Sequence, residues 1–306
     1  MRNAFSDTLV ELARKDPRVL LLTGDHGYAL FDAFRRECPK QYINAGIAEQ
    51  NMVGMAAGLA KAGFKPFVYG LSAFVPVRVI EQIKIDIAHD NLGVVLLGDG
   101  AGFVYSHLGT SHQSTEDIAC SRAIANLAVY SPADRFEMAA CMRLAYAARS
   151  PVYLRMGKSD RGDVHAAPVD GLQPGQLLCV KPGRPGAAAL LATGSMVIAA
   201  QRLAEQHFPD ASVWSVPFIK PAAVDEIAAL CRDSACIVTL EEHSVIGGLG
   251  SMVAEIACDA APVRVLRIGV QDRFTEDCGT YAHLLKEHGL DDESVRLRIA
   301  AFLGAH

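Results

Sequence analysis

Glu49 closes the run Asn44-Ala-Gly-Ile-Ala-Glu, where the chain leaves a short β-like piece (residues 41–44) and enters a helix. That helix continues over residues 52–63 and is built mostly from glycine, alanine and other small residues. A carboxylate in a first helical turn pairs favourably with the helix dipole. The small residues behind it add a second reading, because a helix with so little bulk admits another backbone at close range. Glu49 then points into an interface rather than into water. Histidine is the side chain whose ordinary titration range suits proton transfer, and three stand in loops: His26, His107 and His112. For His26 and His107 a solvent-facing loop position is the competing reading.

The elements that must position these groups alternate along the chain. Residues 19–23, 66–69, 93–97, 127–130 and 152–155 read as short strands buried on both faces, with helices such as 79–88 and 135–149 between them. From residue 161 to 186 proline, glycine and charge accumulate without a periodic pattern, as in an inter-domain linker. A second series follows, with strands at 188–193, 212–216, 236–240 and 263–268 and a closing helix near 294–303. Such alternation predicts an α/β protein of two domains, each a mostly parallel sheet flanked by helices, over residues 1–160 and 187–306.

Composition narrows the class. The 306 residues are 51% hydrophobic and 21% charged with a formal net charge of -5, which favours neither nucleic acid nor an anionic membrane as partner. No apolar run approaches the roughly 18 residues of a membrane span. Eight cysteines lie scattered with no C-x-x-C pair, the usage of reduced thiols in a cytoplasmic chain rather than of disulfides or zinc.

Four motifs stand in the order and spacing of one family: Gly46-Ile-Ala-Glu-Gln, Gly109-Thr-Ser-His-Gln113, Pro132-Ala-Asp134 and Glu241-Glu-His-Ser-Val-Ile-Gly-Gly-Leu-Gly-Ser251. On these the chain resembles the C-terminal half of a transketolase, its pyrimidine-binding domain followed by its C-terminal domain. It is similar also to the C-terminal half of 1-deoxyxylulose-5-phosphate synthase, and the likeness covers essentially the whole chain. The resemblance implies a thiamine-diphosphate enzyme that moves a two-carbon ketol unit from a ketose donor to an aldose acceptor. Glu49 then matches the glutamate that bonds N1′ of the aminopyrimidine, which favours the imino tautomer needed to deprotonate the thiazolium. Phe74 matches the aromatic that stacks on the aminopyrimidine, with Tyr69 a weaker candidate. Asp25 falls where related chains place an aspartate near the cofactor at the subunit interface. His112 resembles the histidine that contacts substrate and aids proton transfer, and His26 and His107 are candidates for the same cavity. Arg155 resembles an arginine that grips an acceptor phosphate through a charge-assisted fork.

Two positions depart from the family. Leu108 stands where transketolases commonly have an aspartate that senses substrate hydroxyls, and Gly100 replaces a phosphate-contacting basic residue of the synthase. The substrate preference of neither relative carries over. Gly98-Asp-Gly100 with Asn126 imitates the magnesium and diphosphate motif of thiamine enzymes, but in the family that motif belongs to a domain preceding the glutamate-bearing one. The expectation is therefore no metal site in this chain. The Gly247-Gly-Leu-Gly-Ser251 stretch reads as a packing turn, with phosphate binding at a helix start as its rival.

With no segment ahead of Met1 to bind the diphosphate, the expected partner is a separate N-terminal-type transketolase subunit. That subunit would hold the diphosphate and most of the Mg2+ or Ca2+ coordination, in a heterotetramer of two copies of each chain. A β subunit of a 2-oxoacid dehydrogenase E1 component shares the glutamate and the two-domain layout, but the Thr-Ser-His-Gln loop argues against it. A non-catalytic α/β regulatory or nucleotide-binding subunit is the alternative of another class, and it would tolerate Glu49→Ala.

Overall fold

A computed structural model describes residues 1–27, 29–158 and 160–304. The first half contributes β1 (Val19–Thr23), β2 (Tyr42–Asn44), β3 (Lys65–Leu71), β4 (Val95–Asp99), β5 (Ala128–Tyr130) and β6 (Val152–Met156). Its helices are α1 (Arg2–Lys15), α2 (Asp32–Glu37), α3 (Glu49–Lys61), α4 (Ile80–Gln82, running on into π-helical turns over Ile83–Ala88), α5 (Asp117–Arg122) and α6 (Arg135–Ala147). The second half contributes β7 (Leu178–Lys181), β8 (Ala189–Ala192), β9 (Ser212–Ser215), β10 (Phe218–Lys220), β11 (Ile237–Ser244) and β12 (Val265–Val270). Around them lie α7 (Met196–His207), α8 (Val224–Asp233), α9 (Leu249–Ala260), α10 (Tyr281–Glu287) and α11 (Asp292–Gly304).

Two sheets result, ordered β10-β5-β6-β4-β3-β1-β2 and β12-β11-β8-β9-β7. Every pairing is parallel except at one edge of each sheet, where β10 runs against β5 and β7 against β9. Apolar strands such as β1 are buried at every position because helices cover both faces. Alternation of side chains sends Leu21, Phe67 and Leu97 toward α1 and α6, where they meet Phe5, Leu9 and Met142. Leu20, Leu22, Val68 and Leu96 turn the other way, onto Met52, Val53 and Ala56 of α3 and onto Ile83 and Ile87. That second cluster runs on without a break into residues of β8, α8 and α9, so the two halves share apolar packing.

The predicted class is the observed one, with two additions. β7 lies inside the segment read as structureless, and β10 returns from the second half to extend the first sheet. Both are three- or four-residue edge strands between prolines and glycines, too short to carry a periodicity of their own. Among the described residues no helix is long and apolar enough to cross a membrane.

Candidate active site

In an open parallel sheet, ligands bind outside the carboxyl ends of the strands. Here β1, β2, β3 and β4 are mutually parallel, so the segments that follow them emerge along one edge. Those segments carry Asp25 and His26, Glu49, Phe74, and the loop with His107 and His112. The topology therefore brings most of the candidate residues to one place.

The turn from β2 into α3 fixes Glu49. Ala45 N–H donates to the Thr23 carbonyl, and the Asn44 side chain accepts the Gly46 N–H at 2.9 Å. Gly46 has a φ of +72°, a conformation that favours glycine, and Glu49 becomes the first residue of the helix. Glu49 is 5% exposed. Its carboxylate meets Arg78 at 3.3 Å, and the Arg78 guanidinium in turn lies 3.9 Å from the centre of the Phe74 ring. The Phe74 ring stands 5.3 Å from that of His112 at an interplanar angle of 65°. The Ser111 hydroxyl lies 2.9 Å from His112 Nδ1. An acid, a half-buried flat ring and an imidazole thus stand in sequence, joined by Arg78. The sequence reading missed Arg78, which follows Phe74 across a turn containing Pro76, where helical i,i+4 spacing gives no signal.

Asp25 is exposed and His26 half-buried, its ring 5.5 Å from that of Tyr69. Burial pushes the His26 pKa down, against the pull of Glu49, Asp99 and Asp25. Its Nε2 is buried with no hydrogen-bond partner. A buried polar atom left in that state suits a group that meets a ligand. His107 is exposed at the loop's outer turn.

Arg155 does not belong to this set. It is 2% exposed; its Nε donates to Asp117 at 2.7 Å and one terminal nitrogen donates to the Glu242 carbonyl at 2.8 Å. Asp117 also accepts the Tyr153 hydroxyl. A guanidinium so occupied holds the two domains together and cannot grip an acceptor phosphate. Tyr69 is also internal: its hydroxyl donates to Asp99, which accepts Tyr105 as well and lies 3.4 Å from Arg2.

These contacts explain the imitation metal motif. Asp99 ends β4, whereas Asn126 precedes β5 and donates to the Ala88 carbonyl, so the two lie at opposite edges of a parallel sheet. Gly100 has a φ of +79°, and a Cβ there would fall 2.0 Å from the Tyr105 ring. No basic side chain fits at that position. At the other glycine-rich stretch the amides of Leu249 and Gly250 are taken by the Glu241 carboxylate at 2.7 and 2.8 Å, leaving a packing turn with its own internal anion.

Comparison with known proteins identifies the two halves of the chain. Residues 1–162 match the family described as "Transketolase, pyrimidine binding domain" and residues 182–295 that described as "Transketolase, C-terminal domain". The chain is 33% identical over 299 residues to one of the subunits of an apulose-4-phosphate transketolase from Phocaeicola vulgatus, covering 96% of this chain and 94% of that one. It is 37% identical over 302 residues to a 1-deoxy-D-xylulose-5-phosphate synthase of Azoarcus sp., of which the match spans 47%. A solved structure described as "Split gene transketolase, inactive beta4 tetramer" superposes with a TM-score of 0.88 at 32% identity, over 98% of this chain and 96% of that one.

Proposed function

The chain belongs to the transketolase family, and from that premise we propose that it is one subunit of a split, thiamine-diphosphate-dependent transketolase. Its substrates in this reading are a ketose donor and an aldose acceptor, between which a two-carbon ketol unit passes. A separate subunit supplies the diphosphate-binding domain and most of the Mg2+ or Ca2+ coordination, in a cytoplasmic heterotetramer of two copies of each chain. The near full-length match to a relative that is itself a single subunit of a transketolase supports that division. Residues 1–160 and 187–306 act as the two domains of this subunit.

The observation that carries the reading is the series Glu49, Arg78, Phe74 and His112 at the carboxyl edge of the sheet. These residues fit the pyrimidine half of the cofactor: a nearly buried carboxylate close to a half-buried aromatic face. Thiamine diphosphate, when bound, supplies the nucleophilic carbon and the electron sink for breaking and making C–C bonds. Glu49 holds the proton shared with the ring nitrogen. Phe74 presents a flat apolar surface that orients the ring. Arg78, which lies over the Phe74 ring, would give way to a ring held there. His112 moves a proton at a substrate oxygen, and His26 offers its unpartnered Nε2 to the same ligands. Asp25 borders the cofactor and His107 the outer substrate region.

The test is to express this chain alone and together with a diphosphate-domain chain encoded beside it, and to assay thiamine-diphosphate-dependent ketol transfer. Activity is expected only from the pair. Full activity from the isolated chain sinks the division of labour, and pyruvate-dependent reduction of an artificial electron acceptor would identify a 2-oxoacid dehydrogenase component instead.

A further inference from the structure

The loop that carries His107 and His112 is closed at its neck and held from the other domain. Gly102 and Ser114 pair as an antiparallel bridge, with N–H···O distances of 2.7 and 3.0 Å, so residues 103–113 form a closed loop. Glu242 of β11 sits against that neck. One carboxylate oxygen accepts the Phe103 N–H at 2.7 Å, and the other accepts the hydroxyls of Ser195 and Tyr281. Gly102 has a φ of +69°, and a Cβ there would lie 2.3 Å from the Glu242 carboxylate, so glycine is needed for both backbone and space. Three further contacts join the same pieces. The Phe103 ring stacks on His288 at 4.7 Å, the Thr275 hydroxyl donates to the Gln113 side chain at 2.7 Å, and the Ser244 N–H donates to the Thr115 carbonyl at 2.7 Å.

Glu242 is 1% exposed and its carboxylate has three neutral hydrogen-bond donors, the nearby Arg155 guanidinium binding its backbone carbonyl rather than the carboxylate. Burying a carboxylate on such terms costs more than apolar packing of the same volume, and a satisfied polar network gives fixed geometry in return. We infer that Glu242 is a positioning residue: through it the C-terminal domain fixes the loop that sets His112 beside Phe74. This inference rests on the transketolase reading of His112 proposed above. It makes the second domain part of the catalytic arrangement rather than a platform for assembly alone.

In the two-chain enzyme, Glu242→Ala is expected to lower kcat about 30- to 100-fold, the scale of an ångström-level misplacement. The thiamine diphosphate requirement should change less than about twofold, since the contacts with the pyrimidine ring remain. Glu242→Gln should restore most of the rate, because its amide oxygen still accepts the Phe103 N–H. In a His112→Ala background the Glu242→Ala change should cost less than about threefold, as expected for residues acting through one another. Equal losses in both backgrounds overturn the inference. Hydrogen exchange on this chain separates the inference from the function on which it rests. Amides of residues 103–113 should exchange about 10-fold faster in Glu242→Ala while those of α3 and α6 keep their protection. Unchanged exchange there overturns the clamp, whereas a His112→Ala change that leaves kcat unaltered removes the catalytic reading and leaves exchange to decide the clamp alone. Where Glu242→Ala fails to fold, Thr275→Val applies the same measurements to the contact at Gln113.

Discussion

Glu49 and Arg78 form an ion pair at 3.3 Å, and the same guanidinium lies 3.9 Å from the centre of the Phe74 ring. The pair costs the fold little to lose, because Arg78 is exposed and an exposed partner contributes at most about 1 kcal/mol. Glu49→Ala should therefore leave the melting temperature of the chain nearly unchanged. In the two-chain enzyme it should lower kcat by about 100-fold or more, the usual contribution of a positioned proton donor. Unchanged activity would instead support a non-catalytic subunit.

Arg78 itself gives the second prediction. It occupies a face of Phe74 that the aminopyrimidine is proposed to take, and a solvent-exposed cation over such a ring is worth about 0.5–1 kcal/mol. Arg78→Met removes the competitor, so thiamine diphosphate should bind the two-chain enzyme about two- to fivefold more tightly by calorimetry. Weaker binding would mean that Arg78 contacts the cofactor directly.

Glu49 was legible because the residues that place it are contiguous: β2, a glycine turn and a small-residue helix follow one another in twenty residues of sequence. The sheets were legible for the same reason, since fully buried parallel strands read as short apolar runs. Arg155 was misread because its position at the end of β6 is local information, whereas Asp117 and Glu242, which occupy it, are brought in from distant segments. The partners of Asp99 were equally out of reach of local pattern, since Tyr69 and Arg2 come from β3 and α1. β10 was invisible because its pairing is to a strand almost ninety residues earlier, and nothing within its three residues specifies that.

Arg155 yields a test of this correction. Arg155→Met leaves the Asp117 carboxylate buried without its cation, beside an Oδ1 that already has no hydrogen-bond partner. Breaking a buried pair from one side costs about 3–5 kcal/mol. Urea unfolding should show a loss of that order. Wild-type stability combined with a raised KM for a phosphorylated acceptor would return Arg155 to the substrate site.

The segment crossing between the domains carries a pH dependence of its own. His165 lies on it, 2.8 Å from the buried Glu137 carboxylate, whose other oxygen accepts the Ala133 N–H. The adjacent Asp134 caps α6 with one oxygen and with the other accepts the Val164 and His165 amides, so the Pro-Ala-Asp motif ties this segment to the first domain. The hydrogen bond to Glu137 raises the His165 pKa above its ordinary value, against the opposing effect of burial. A histidine raised in the folded state contributes its stability fully below the unfolded pKa of about 6.5, and that contribution is lost as pH rises through the folded value. The melting temperature of wild type relative to His165→Gln should therefore be highest near pH 6 and should narrow as the pH climbs past 7 toward 9. A difference that stays constant or widens over that range would show that His165 is neutral in the fold and that Glu137 holds it as a plain hydrogen-bond donor.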